Sequence, residues 1–148
     1  GYLNAAVDMA SWFLSNGKTV VTEDYGSKRL PDIYRSKGYD IFSDKLKFVI
    51  LIDGGSASAS EILAGAMQDS GRATLVGTQS FGKGSVQEVI KLTSDTLLKI
   101  TVAKWLTPKG VSISEKGLTP DYKVEITQKD SEAKIDPQLN KAVELLLK

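Results

Sequence analysis

The stretch from Lys47 to Gly77 does most to restrict the fold. Lys47 to Ile52 (KFVILI) is almost wholly aliphatic, the pattern of a strand buried on both faces in a parallel sheet that helices cover. It runs into Asp53-Gly54-Gly55 and then Ser56-Ala57-Ser58-Ala59-Ser60-Glu61. A helix is expected next, with Ala59, Ile62, Leu63, Ala66 and Met67 on one side and Gly71 past its end. Ala73 to Gly77 reads as a second short buried strand. Strand, tight glycine turn, helix and strand make a βαβ unit, so the class is α/β.

The rest of the chain fits around that unit. Leu3, Ala6, Val7, Ala10, Phe13 and Leu14 recur at helical spacing, which predicts a helix over 3–15 capped by Asn16-Gly17. Lys18 to Glu23 is β-branched and extended. Asp24 to Asp44 is polar and reads as a long surface loop of the kind that forms substrate edges or lids. Val86 to Leu92 and Thr96 to Trp105 alternate on either side of Thr93-Ser94-Asp95, which predicts an antiparallel hairpin. Thr107 to Gly110 and Gly117 to Asp121 are turns, and Pro137 to Leu147 is a closing helix with Leu139, Ala142, Val143 and Leu146 as its buried stripe. No repeat, low-complexity tract or linker divides the 148 residues, so one domain is expected.

Composition narrows the chemistry. There is no Cys, which removes disulfides, a thiolate nucleophile and Cys-ligated metals. There is no His either, so the commonest general base and transition-metal ligand are missing. Nineteen Lys and Arg against eighteen Asp and Glu leave a net charge of +1, with no electrostatic footprint for nucleic acid or an anionic membrane. No run approaches the roughly 18 apolar residues of a membrane helix. Acid–base work must fall to a carboxylate, a Lys or a Tyr.

Two motifs remain as candidates. Ser58, with Glu61 three residues on, fits a capping box at the start of the expected helix. Caps are far commoner than nucleophiles, so that is the first reading on the residues alone; the second is a nucleophile on a sharp strand-to-helix turn, with small neighbours and free helix amides to hold an oxyanion. The logic is that of a nucleophile elbow, although G-x-S-x-G is not matched. Gly77 to Ser85 nearly spells a phosphate-binding loop, but Gly84 stands where a hydroxyl must hold Mg²⁺, and a strand rather than a helix follows. Nucleotide binding is therefore set aside. What is left is Lys83 between two glycines. It is either a solvated loop lysine or, if burial lowers its affinity for the proton, a general base. Ser–Lys pairs are a known variant of the triad logic. Gln87 could orient Lys83, but four extended residues span about 13 Å, so the backbone from Gly82 to Gln87 would have to curl.

These residues resemble the C-terminal processing peptidases, also called tail-specific proteases (peptidase family S41). The likeness rests on Gly55-Ser-Ala-Ser-Ala-Ser-Glu-Ile62, on Phe81-Gly-Lys-Gly-Ser-Val-Gln87, and on Thr107-Pro-Lys-Gly110 with Gly117-Leu-Thr-Pro-Asp121. It covers nearly the whole chain and is weakest from Thr22 to Lys45. The resemblance implies a crotonase/ClpP-like α/β protease core and a serine endopeptidase acting near protein C-termini through an acyl-enzyme. Ser58 would be the nucleophile, Lys83 the base and Gln87 its orienting residue, with oxyanion donors at Ala59 and Gly1. No metal or cofactor is implied. The implied partners are polypeptide substrates, with a homo-oligomer also compatible, and the implied location is extracytoplasmic. Asp53 stands where Asn is common in the family. The chain is expected to be the C-terminal part of such a core, without its first strands or the regulatory PDZ domain. A non-catalytic peptide-binding module on the same fold is the rival expectation, favoured if Lys83 lies in solvent away from Ser58.

Overall fold

Two sheets separate the strands by the direction in which their connections let them pair. The structure, a computed structural model, describes residues 2–148. Along the chain run α1 (Leu3–Ala10), β1 (Thr19–Asp24), β2 (Asp32–Arg35), β3 (Val49–Ile52), α2 (Ala59–Asp69), β4 (Thr74–Gly77), β5 (Ser85–Lys91), β6 (Leu97–Leu106), β7 (Tyr122–Lys123), α3 (Gln128–Glu132) and α4 (Pro137–Leu147). β3, β4 and β7 form a parallel sheet in the order β3-β4-β7, and β2, β1, β6 and β5 form an antiparallel sheet in the order β2-β1-β6-β5.

The βαβ unit is present: β3 and β4 pair in parallel from Val49–Thr74 to Ile52–Gly77, with α2 as the crossover. Gly77 is needed there, because at φ +133 its Cβ would lie 2.0 Å from the Ile52 carbonyl oxygen. Asp121 sets the third strand by accepting from the Leu75 amide at 2.7 Å and from Gln68 Nε2 at 3.1 Å. α2 carries the central core. Ile62, Ala66 and Met67 pack with Ala6, Val7 and Ala10 of α1, Val20 and Val21 of β1, and Leu75 of β4, all buried. Burying these side chains supplies the non-directional part of the stability, while the two sheets pair the backbone.

Several expectations need correction. The first helix stops at Ala10 rather than Ser15. Its next carbonyls are claimed by residues 39–42, since Tyr39 N–H donates to Ser11 O and both Ile41 and Phe42 N–H donate to Trp12 O. The 24–44 segment is not a loop throughout. It holds a 3₁₀ turn at Gly26–Lys28 and the strand β2, paired antiparallel with β1. β2 is largely exposed on both sides, so it carries no apolar alternation to read. Its pairing is secured by Tyr34, which packs edge-on against Trp105 and donates to Glu23 Oε2 at 3.0 Å. β3 is shorter than expected and lies at an edge of the described sheet. Ile52 is buried but Leu51 is 41% exposed. α4 matches its expected span, yet of its predicted stripe only Ala142 is buried, and Leu139, Val143 and Leu146 are exposed.

Candidate active site

β3 ends at Ile52 and the chain must turn sharply to begin α2. Asp53 builds the turn: its Oδ1 accepts from the amides of Gly55 and Ser56 at 2.9 and 3.1 Å. Ser58 follows as the N-cap of α2, at φ +58 and ψ −117. A non-glycine residue in such a region costs on the order of 1–3 kcal/mol and persists only where its surroundings impose it. The imposing contact is from Glu61, whose Oε2 accepts the Ser58 amide at 2.9 Å. The Ser58 hydroxyl is within capping-box reach of the Glu61 amide but makes no cap hydrogen bond of full geometry, and the side chain is half-buried. Ala59, the first residue of α2, donates its amide to no partner among the described residues.

The Lys83 backbone is brought to the same place by the segment that follows β4. The segment after Gly77 crosses over α2's N-terminus and is fastened there by backbone donors. Phe81 N–H donates to Ser56 O at 3.0 Å, Gly82 N–H to Glu61 Oε1 at 2.7 Å, and Lys83 N–H to Glu61 Oε2 at 3.0 Å. From outside, residues 112–117 press on it, with the Glu115 amide donating to Gly82 O at 3.0 Å. Gly84 is a second position where the side chain must be absent, because a Cβ would sit 2.4 Å from the Ser114 amide nitrogen. One buried carboxylate oxygen therefore holds both the Ser58 and the Lys83 backbone.

The remaining expectations fare differently. The Lys83 side chain is exposed and makes no ion pair among the described residues, so its immediate neighbours do not supply the dry setting a lysine base requires. Gln87 is exposed and lies within β5, which is extended from Ser85 onward, so the anticipated curl between Gly82 and Gln87 does not extend to Gln87. A bulge interrupts the ladder at that point: Val86 pairs with Ala103 and Gln87 with Thr101, leaving Val102 unpaired. Gln87 lines a cleft of about 510 Å³ with Glu23, Tyr25, Arg29 and Val102. Gly1 lies outside the described residues.

Sequence reasoning treated Glu61 only as a helix cap and missed its link to the 80–83 segment. The available signal was a carboxylate next to Ile62 at the inner side of an apolar helix, a position where charge is tolerated only when fully hydrogen-bonded.

Comparison with known proteins identifies the family. The chain matches the model of Peptidase family S41 over residues 1–124, and it belongs to that family. A carboxy-terminal-processing protease of Bartonella bacilliformis is 46% identical over 127 residues, covering 84% of this chain and 28% of the relative. Carboxyl-terminal-processing peptidase 3, chloroplastic, of Arabidopsis thaliana is 40% identical over 148 residues, covering 99% of this chain and 28% of the relative. Among solved structures, a photosystem II D1 C-terminal processing protease superposes with a TM-score of 0.77 at 36% identity, over 89% of this chain and 34% of that one. The α/β protease core expected from the sequence is thus the fold observed. The chain spans little more than a quarter of the curated relatives' length. Among the described residues no helix is long and apolar enough to cross a membrane.

Proposed function

We propose that this chain carries the catalytic centre of a serine endopeptidase that cleaves proteins near their C-termini. The observation that supports this most is the shared carboxylate: Glu61 binds the amides of Ser58 and Lys83, two residues far apart in sequence, through one oxygen. Ser58 attacks the scissile carbonyl carbon while the Lys83 amine takes its hydroxyl proton, and a C–O bond forms. The negative charge that develops on the carbonyl oxygen is met by the Ala59 amide, with Gly1 as the second donor. As the C–N bond breaks, the Lys83 ammonium returns its proton to the leaving amine. Water then attacks the ester, its proton passing through Lys83, and releases a new carboxyl terminus and the free Ser58 hydroxyl. For Gln87 to orient Lys83 in this scheme, its side chain must reach back along β5 past the bulge at Val86 and Gln87, because the backbone there is extended rather than curled. Lys83 is exposed, so in this scheme the peptide laid across Ser58 is what covers it and excludes water.

The polypeptide's end would be read as an added strand or in a side-chain pocket. A place outside the cytoplasm, in a cell envelope or organelle lumen, goes with this reading; the Arabidopsis relative is named as chloroplastic. The exposed Lys83 also favours a second reading, a non-catalytic peptide-binding module on the same fold. Proteolysis assays on the full-length protein separate the two. Ser58→Ala and Lys83→Ala are expected to fold normally and each to lose cleavage by at least about a thousandfold, as residues acting as a unit do. A fully active Lys83→Ala variant overturns the dyad, and a parent protein that binds peptide without cleaving it establishes the module.

A further inference from the structure

We infer that Ser80 is a positioning residue for the Ser58–Lys83 pair, acting through Glu61; the inference rests on the catalytic reading above. Ser80 lies in the segment between β4 and β5 and is only 6% exposed. A hydroxyl buried to that degree needs partners, and Ser80 has two of opposite sense. Its Oγ donates to Glu61 Oε1 at 2.5 Å and accepts the Leu118 amide at 2.7 Å. The Leu118 N–H is a donor only, so the single hydroxyl proton of Ser80 must point at the carboxylate. The direction of the hydrogen bond is fixed by the backbone on its other side.

That backbone is itself fixed. Ser80 N–H donates to Leu118 O at 3.1 Å, which makes the contact two-pronged. Gly117 lets the strand of chain come this close: at φ +64, a Cβ there would lie 2.6 Å from both the carbonyl oxygen and Oγ of Ser80. The carboxylate distributes its two oxygens between the two tasks. Oε1 takes Ser80 and Gly82, and Oε2 takes Ser58 and Lys83. Without the Ser80 donor, Oε1 is held by the Gly82 amide alone, so the carboxylate plane is fixed less firmly and the grip of Oε2 on the Ser58 and Lys83 amides slackens with it. Both lone-pair and proton of Ser80 are committed and its side chain is buried, so it does not touch substrate.

The test compares variants of the full-length protein on a fluorogenic peptide, with folding followed by thermal melting. Gln79→Ala is the control. Its exposed side chain donates to Lys116 O and accepts from Thr119 Oγ1, gripping the same 116–119 stretch without touching the carboxylate. Ser80→Ala is expected to lower kcat about 10- to 100-fold with KM within about twofold, the scale of one hydrogen bond to a charged group. Gln79→Ala is expected to hold both within about twofold, and Ser80→Thr, which keeps the hydroxyl, to stay within about fivefold of the parent kcat. An unchanged kcat in Ser80→Ala overturns the inference, as does a loss in Gln79→Ala equal to it. Should Ser80→Ala not fold, a folded Ser80→Thr with a kcat loss beyond tenfold also overturns it. Ser58→Ala and Lys83→Ala run alongside: activity retained in either removes the catalytic reading itself, whatever Ser80 does.

Discussion

Glu61 is fully buried, and its side-chain oxygens meet four donors there, three of them backbone amides. Replacing it by Gln keeps the shape but turns an NH₂ toward two donors. Glu61→Gln is therefore expected to cost about 2–4 kcal/mol in urea unfolding, the penalty for unpaired buried donors. A loss below about 0.5 kcal/mol would mean the network bears little strain. Two tyrosines near Glu23 make a separate prediction. The Tyr34 phenol is held above its ordinary range first by burial and then by its bond to Glu23, and Tyr25 by Glu23, burial and Asp32. The fold thus favours the protonated phenols. Their contribution is complete below the ordinary phenol range and falls away as the pH rises above about 10. Phenolate absorbance should show two late-titrating tyrosines in the parent, and Glu23→Gln should bring both back toward the ordinary range.

At the scale of elements, what the sequence made legible was local. The βαβ unit and the β5–β6 hairpin follow from aliphatic runs, alternation and glycine turns that need no distant partner. What stayed hidden depends on contacts far away in the chain. β2 was invisible because its pairing comes from Tyr34 against Trp105, and the early end of α1 because residues 39–42 capture the carbonyls of Ser11 and Trp12. In the site, Ser58 and Lys83 stand out by residue type and small neighbours, alanines beside Ser58 and glycines beside Lys83, whereas the roles of Glu61 and Ser80 exist only once the 78–84 segment folds over α2. Phe13 anchors the hidden part: its ring stacks between Phe42 and Phe48, at centroid distances of 4.7 and 4.6 Å. Phe13→Ala is expected to destabilise by about 3–4 kcal/mol and to raise amide exchange in residues 37–48 above that of β4. Equal protection before and after the substitution would show the stack to be incidental.

Across the whole molecule, apolar surface is distributed unevenly. The core lies between α1, α2, β1 and β4, while the outer half of the β5–β6 hairpin exposes Val89, Ile90, Leu98 and Ile100. Strand pairing without side-chain burial leaves that half with little beyond backbone hydrogen bonds. Amides of Glu88 to Ile100 should therefore exchange ahead of those in β3 and β4, and slow exchange at the hairpin would contradict this. The exposed stripe of α4 follows the same logic, since periodicity defines an apolar face but not what covers it.

In the proposed mechanism Ser58 is the nucleophile and Lys83 its base. The most direct measurement is the rate at which a serine-directed fluorophosphonate modifies the full-length protein, with the adduct mapped by peptide mass spectrometry. A single adduct on Ser58, lost when Lys83 is replaced by Ala in a folded protein, is the expected result. An adduct on a different serine, or labelling of Ser58 at the parent rate without Lys83, would contradict it.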